Sequence, residues 1–215
     1  MNPFLRYMLS DTSPGGLAPS HLQDLDASGL TGETIRRQRI RSVPPGMISR
    51  LTGFEIPSAS SAMLIPFPDP PGDFMDHVRI KVFPTLTDRA GHSIKYLQPR
   101  HSGVRLFFPF LQMPEALRGT VPLWLVEGEK KALAVAQLGL AAVGFCGIEG
   151  WHVAGSSALL PDFGLLRLTG RVVELVPDGD CQSNPAVARG AFRLADALER
   201  RGARVRLVVL PADVQ

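Results

Sequence analysis

Glu127, Asp178 and Asp180 are the residues of this 215-residue chain best placed to do chemistry. Each follows a short apolar run: Leu123-Trp124-Leu125-Val126 leads into Glu127-Gly128, and Val172-Val173-Glu174-Leu175-Val176 leads through Pro177 into Asp178-Gly179-Asp180. Short β-rich runs bounded by turn residues read as buried strands of a parallel sheet. The three carboxylates then lie just past two strand ends, the edge at which open α/β sheets bind ligands where chain order reverses. Carboxylates gathered on one spot raise one another's pKa unless a cation neutralises them. Hard oxygen donors suit Mg²⁺ or Mn²⁺, and the reaction most natural to such a site is metal-assisted phosphoryl transfer. The competing reading is structural, since a carboxylate after a strand also caps the next helix. Capping explains Asp180 least well, because Asn184-Pro185 already offers an N-cap and a first-turn proline to the following helix. Glu129 reads as a structural first-turn glutamate.

The elements around these residues alternate as strand and helix. Residues 129–138 form a helix with Ala132, Leu133 and Ala136 inward and Gly139 as its stop. Lys130 and Lys131 stand in its first turn, where the dipole disfavours cations, so carboxylates or a nucleic-acid phosphate nearby would offset that cost. Residues 141–146 give the next strand. The glycine-bearing loop 147–152 after it either brings backbone amides to a phosphate or is simply a tight turn. Residues 185–201 form the clearest helix, with Val187, Ala191, Leu194 and Leu198 at helical spacing and Gly202 after it, and residues 205–210 supply a last strand. Cys181 adjoins Asp180 as a small packing residue.

The strand-end pattern resembles the Toprim domain shared by DnaG-type primases, topoisomerases and several nucleases. Its glutamate-glycine after the first strand and Asp-x-Asp after the third are matched by Glu127-Gly128 and Asp178-Gly179-Asp180, over residues 121–211. The resemblance implies a Rossmann-like, mainly parallel four-stranded sheet with helices on both faces, in which Glu127, Asp178 and Asp180 hold divalent ions and Glu127 also serves as base. Further acidic residues usually follow the last strand of Toprim primases, and Asp213 alone stands there.

Upstream, residues 1–18 read as a loose leader rich in Ser, Pro and Gly. Residues 20–40 read as two short helices, with Gly29 ending the first, Thr31 starting the second, and Arg36, Arg37 and Arg39 forming a basic face. From 44 to 111 the pattern changes to short strands, at 62–67, 77–83, 94–97 and 104–108, with a turn at 69–73. Alternation places Val78, Ile80 and Val82 on one face and His77, Arg79, Lys81 and Phe83 on the other.

This half is similar to the small mixed α/β subdomain that precedes the Toprim domain in DnaG-type primases. Gly29-Leu30-Thr31 with Ile35, Leu64-Ile65-Pro66-Phe67-Pro68-Asp69 and Lys95-Tyr96-Leu97-Gln98-Pro99 stand in the order of that family's landmarks. The resemblance implies that basic residues here hold template or incoming nucleotide. Lys95 matches by motif, and Lys81, Arg100 and Arg105 match by neighbourhood. The expected layout is a leader at 1–18, a primase-like subdomain at 19–118 and a Toprim domain at 119–215. The expected protein is a fragment of a longer chain or a reduced primase-like protein of a mobile element. Its expected partners are single-stranded DNA, nucleoside triphosphates and a helicase or other replication protein. A Toprim nuclease and a non-catalytic nucleic-acid-binding module remain the alternatives to a nucleotidyltransferase.

Composition agrees with a globular class: 45% hydrophobic and 20% charged residues suffice for a compact core. The net charge of +3 and pI near 9.2 are compatible with a polyanionic partner. Two cysteines, Cys146 and Cys181, without ligand-like spacing indicate neither a disulfide framework nor a zinc site and point to a reducing, cytoplasmic setting. Neither a signal peptide nor a membrane span is expected.

Overall fold

The computed structural model describes residues 3–10, 16–56, 58–70, 72–88 and 90–210. It divides into two compact units, Met1–Gly103 and Val104–Gln215. In the first, helices α1 (Pro3–Ser10), α2 (Pro19–Asp26) and α3 (Gly32–Arg37) precede strand β1 (Arg41–Val43), helix α4 (Met47–Thr52) and strands β2 (Ser61–Pro68), β3 (Phe74–Thr87) and β4 (Ser93–Leu97). The strands pair antiparallel in the order β1-β2-β3-β4. Ala62, Met63, Leu64 and Ile65 in β2 are wholly buried, so this strand is enclosed on both faces. In β3 the expected alternation holds: Val78, Ile80 and Val82 are buried, while Arg79, Lys81 and Phe83 are part-exposed. His77, assigned to the second set, is buried as well, with its ring edge-on to Phe67.

The leader expectation is corrected in part. Residues 3–10 are a helix whose Leu5 and Leu9, one turn apart, are buried, and α1 packs against α4. The two short helices at 20–40 are α2 and α3. Thr31 caps α3 by accepting the Thr34 N–H at 3.2 Å, and Gly29 turns the chain at φ 68°.

The second unit opens with residues 104–112 and helix α5 (Met113–Arg118), followed by β5 (Leu123–Glu127), α6 (Glu129–Gln137), β6 (Ala142–Phe145), a 3-10 helix (Pro161–Leu165), β7 (Val172–Val176), a second 3-10 turn (Gly179–Gln182), α7 (Pro185–Glu199) and β8 (Arg204–Leu207). All pairings in its sheet are parallel, in the order β6-β5-β7-β8. Crossovers between parallel neighbours are right-handed as a rule, so α6, leading toward one edge, and α7, leading toward the other, are expected on opposite faces. The core is Leu123, Leu125, Val143, Phe145, Val173 and Leu175 from the sheet, with Ala132 and Leu133 from α6 and Ala191, Leu194 and Leu198 from α7.

The strand expected at 104–108 does not form. Leu106, Phe107 and Phe108 are buried, but the segment is held by a single bridge, Phe107 to Gly144, and by Arg105, whose guanidinium forks onto Asp162. The segment thus packs within the second unit, so the units part at 103/104 and not at 118/119. Among the described residues, no helix is long and apolar enough to cross a membrane.

Candidate functional site at the β5–β7 switch point

β5 and β7 are neighbours, with Val126 opposite Val176. From β5 the chain goes on to β6 on one side, whereas β7 continues to β8 on the other, so the order reverses between the two acidic strand ends. Glu127 is the last residue of β5 and Asp178 stands two residues beyond β7. Gly128 joins Glu127 to α6 with φ 95° and ψ 146°, a region essentially reserved for glycine. That conformation lets a strand turn directly into a helix and fixes where the Glu127 side chain begins.

Glu127 is 8% exposed, and its Oε2 accepts the backbone N–H of Asp178 at 2.9 Å. Burial pushes its carboxyl above the ordinary range, the Asp178 and Asp180 charges push the same way, and the Asp178 N–H and the Lys131 charge act against them. Asp178 heads the 3-10 turn but does not cap it with its side chain. Its Oδ1 instead meets the Lys131 ammonium at 2.5 Å. The unfavourable position of Lys131 in the first turn of α6 is thereby offset by a carboxylate. Asp180 is exposed, accepts a long 3.4 Å bond from Asn184 Nδ2, and leaves the capping of α7 to Asn184, which accepts the Ala186 N–H at 3.1 Å. Cys181 is half-buried, and burial, then Asp180 and Glu127, raise its thiol pKa.

The donor chemistry of this edge fits a hard divalent ion: three carboxylates, one poorly solvated and close enough to the others to feel their charge. The arrangement is not a ready cage. Among the described residues no group of three His, Cys, Asp or Glu side chains is gathered as a metal site, and the Lys131 ammonium takes up one Asp178 oxygen. Asp213 lies outside the described residues.

The basic candidates separate. In the first unit, Lys81 pairs with Asp24 and lies over the rings of Phe83 and Tyr96. Lys95 is exposed, and the exposed Arg100 lies over Phe54 at 4.3 Å. In the second unit, Arg105 holds Asp162, which is 5% exposed and also accepts the Leu106 N–H at 2.8 Å. Asp162 was not anticipated; only its acidic type in an apolar stretch could have signalled it. Lys130 is half-buried. In the loop after β6, a Cβ on residue 150 would stand 1.8 Å from the Cys146 carbonyl oxygen, so Gly150 is required by the turn itself.

A family model described as a domain of unknown function (DUF3854) matches residues 116–214. No curated protein matches the chain. Among solved structures, the chain is similar to the zinc-binding and RNA polymerase domains of the Aquifex aeolicus primase, with a TM-score of 0.60 and 16% identity over 91% of this chain and 51% of that one. It thus spans about half the length of that relative. It is also similar to the structure titled the DnaG catalytic core, with a TM-score of 0.61 and 23% identity over 98% of this chain and 71% of that one. Strand order and these two likenesses show that the fold of this chain is similar to that of the DnaG catalytic core.

Proposed function

We propose that the chain is a primase-like nucleotidyltransferase core whose second unit is a Toprim domain. The observation that supports this best is the placing of Glu127, Asp178 and Asp180 at the switch point of a sheet with the DnaG-core fold. Glu127, Asp178 and Asp180 would hold Mg²⁺ or Mn²⁺, which when bound neutralises phosphate charge and makes a hydroxyl easier to deprotonate. Glu127 acts as proton acceptor. The Asp178 N–H orients its carboxyl through Oε2. Lys131, paired with Asp178, would offer its ammonium to a phosphate oxygen. Lys95 and Arg100 contact single-stranded DNA, with nucleoside triphosphates as the second substrate. A helicase or other replication protein and a mobile-element origin belong to the same reading, as does a cytoplasmic setting.

The test is incubation with single-stranded DNA, labelled nucleotides and Mg²⁺ or Mn²⁺. New or extended oligonucleotides are expected; shortened DNA would favour the nuclease, and binding without either product the passive module. Replacing Asp178 and Asp180 together by Asn should abolish Mn²⁺ binding, read by electron paramagnetic resonance, without loss of fold. Unchanged Mn²⁺ affinity in that variant would remove the proposed site.

A further inference from the structure

Lys131 brings a positive charge of the chain's own into the acidic edge. Its Nζ lies 2.5 Å from Asp178 Oδ1, and its charge also reaches Glu127, whose ionised form it favours. Lys131 stands in the first turn of α6, which leaves Glu127 after Gly128 alone. The helix dipole works against a cation in that turn. What favours the ammonium there is the carboxylates, and the short joint to β5 keeps it tethered beside them.

Charge and oxygen count both bear on how many divalent ions this edge takes. With Glu127, Asp178 and Asp180 ionised, the Lys131 ammonium leaves two net negative charges, which a single divalent ion cancels. A second ion would make the edge positive before any phosphate arrives. Paired metal ions sit about 3.5–4 Å apart, and ions that close need a carboxylate to bridge them. Asp178 has the central place for that: its own N–H rests on Glu127 Oε2 at 2.9 Å, and Asp180 follows it in the same 3-10 turn. Its Oδ1 is given to the ammonium, so Asp178 joins an ion to Lys131 and not an ion to an ion. The ammonium has three donors, so one N–H on Asp178 leaves others for a phosphate oxygen.

We propose that the Lys131 ammonium takes the place of a second divalent ion, so that the acidic edge holds one Mg²⁺ or Mn²⁺ beside it. The inference rests on the metal-binding role proposed for Glu127, Asp178 and Asp180. Lys131 stays on Asp178 Oδ1 in the loaded site, and Glu127, Asp180 and the second Asp178 oxygen are left to hold the ion.

The test counts Mn²⁺ bound to the full chain, without nucleotide or DNA, by electron paramagnetic resonance. Ions held elsewhere are removed by taking the difference from the variant with Asp178→Asn and Asp180→Asn. The parent should hold about one ion by this difference, and Lys131→Met, similar in length but uncharged, about two. Lys131→Arg keeps the charge and should stay at about one, which a merely structural role for the side chain would not require. Circular dichroism and melting temperature show that each variant is folded, and the parent count is decisive even where one is not. Two ions in the parent overturn the inference and leave the metal-binding reading standing, as does a folded Lys131→Met that still holds one. No difference between the parent and the aspartate variant, with none gained in Lys131→Met, removes the metal-binding reading and the inference with it. An ion bound by Lys131→Met but not by the parent overturns the inference in another way: Lys131 then blocks the edge instead of completing it.

Discussion

At the scale of single residues, Glu127 carries the sharpest consequence. If it accepts the proton, Glu127→Gln should lower polymerising or cleaving activity by about 10²-fold or more while leaving DNA affinity unchanged; surviving activity would reduce it to a structural acceptor of the Asp178 N–H. Its raised pKa also sets a sign for stability. The folded state holds the Glu127 proton more tightly than the unfolded one, so this contribution is full below the unfolded pKa of about 4.3 and is lost as pH rises through the folded value. Glu127→Gln should therefore gain stability over the parent as pH rises from acid to neutral in urea unfolding. His21 has the opposite dependence. It is fully buried between the hydroxyls of Ser42, at 2.6 Å, and Ser61, at 2.9 Å. Burial lowers its pKa, with Asp24 acting against this and Lys81 adding to it. The unfolded chain then takes up the proton first, and stability should fall as pH drops below about 6.5 until the folded value is passed. His21→Gln should flatten that slope, and an unchanged profile would mean that another group titrates there.

At the scale of elements, the β5-Gly128-α6 joint is the part of the site most exposed to change. A Cβ at 128 would meet nothing within 4 Å, so Gly128→Ala tests backbone conformation alone. It should cost about 1–3 kcal/mol and, by shifting the Glu127 side chain, lower activity more than its loss of stability accounts for. A melting temperature equal to the parent's would show that the joint tolerates a side chain. The same joint shows what was legible in the sequence. β5, β6, β7, α6 and α7 announce themselves by apolar runs, helical spacing and punctuating glycines, and Lys131 in a first turn signalled the carboxylate it meets. The six-residue α4 and α5 are too short to show a period, and α1 runs for only eight residues. Residues 104–108 mislead because an apolar run says that a segment is buried, not how; its anchor is Asp162, 57 positions from Arg105 along the chain. No local pattern reports such a partner.

At the scale of the whole molecule, the four basic residues singled out with the N-terminal half divide into two physical kinds, and the division is testable. Lys81 and Arg105 are committed to Asp24 and to Asp162. Replacing Arg105 by Ala strands a carboxylate that is nearly buried, at a cost on the order of 1–3 kcal/mol, so its effect should appear as lost stability. Lys95 and Arg100 are exposed, the latter spread over Phe54, and can meet phosphates without breaking an ion pair. Each phosphate contact to a single strand contributes about 0.7 to the slope of log K against log salt. Replacing Lys95 and Arg100 together by Ala should thus flatten the slope of single-stranded DNA binding by about 1.4 and weaken affinity most at low salt, with the melting temperature little changed. If the slope is unaltered while DNA still binds, these two residues are solvated surface and the primase-like role of the first unit fails; if instead Arg105→Ala flattens the slope without loss of stability, the Asp162 pair is a resting contact that yields to phosphate.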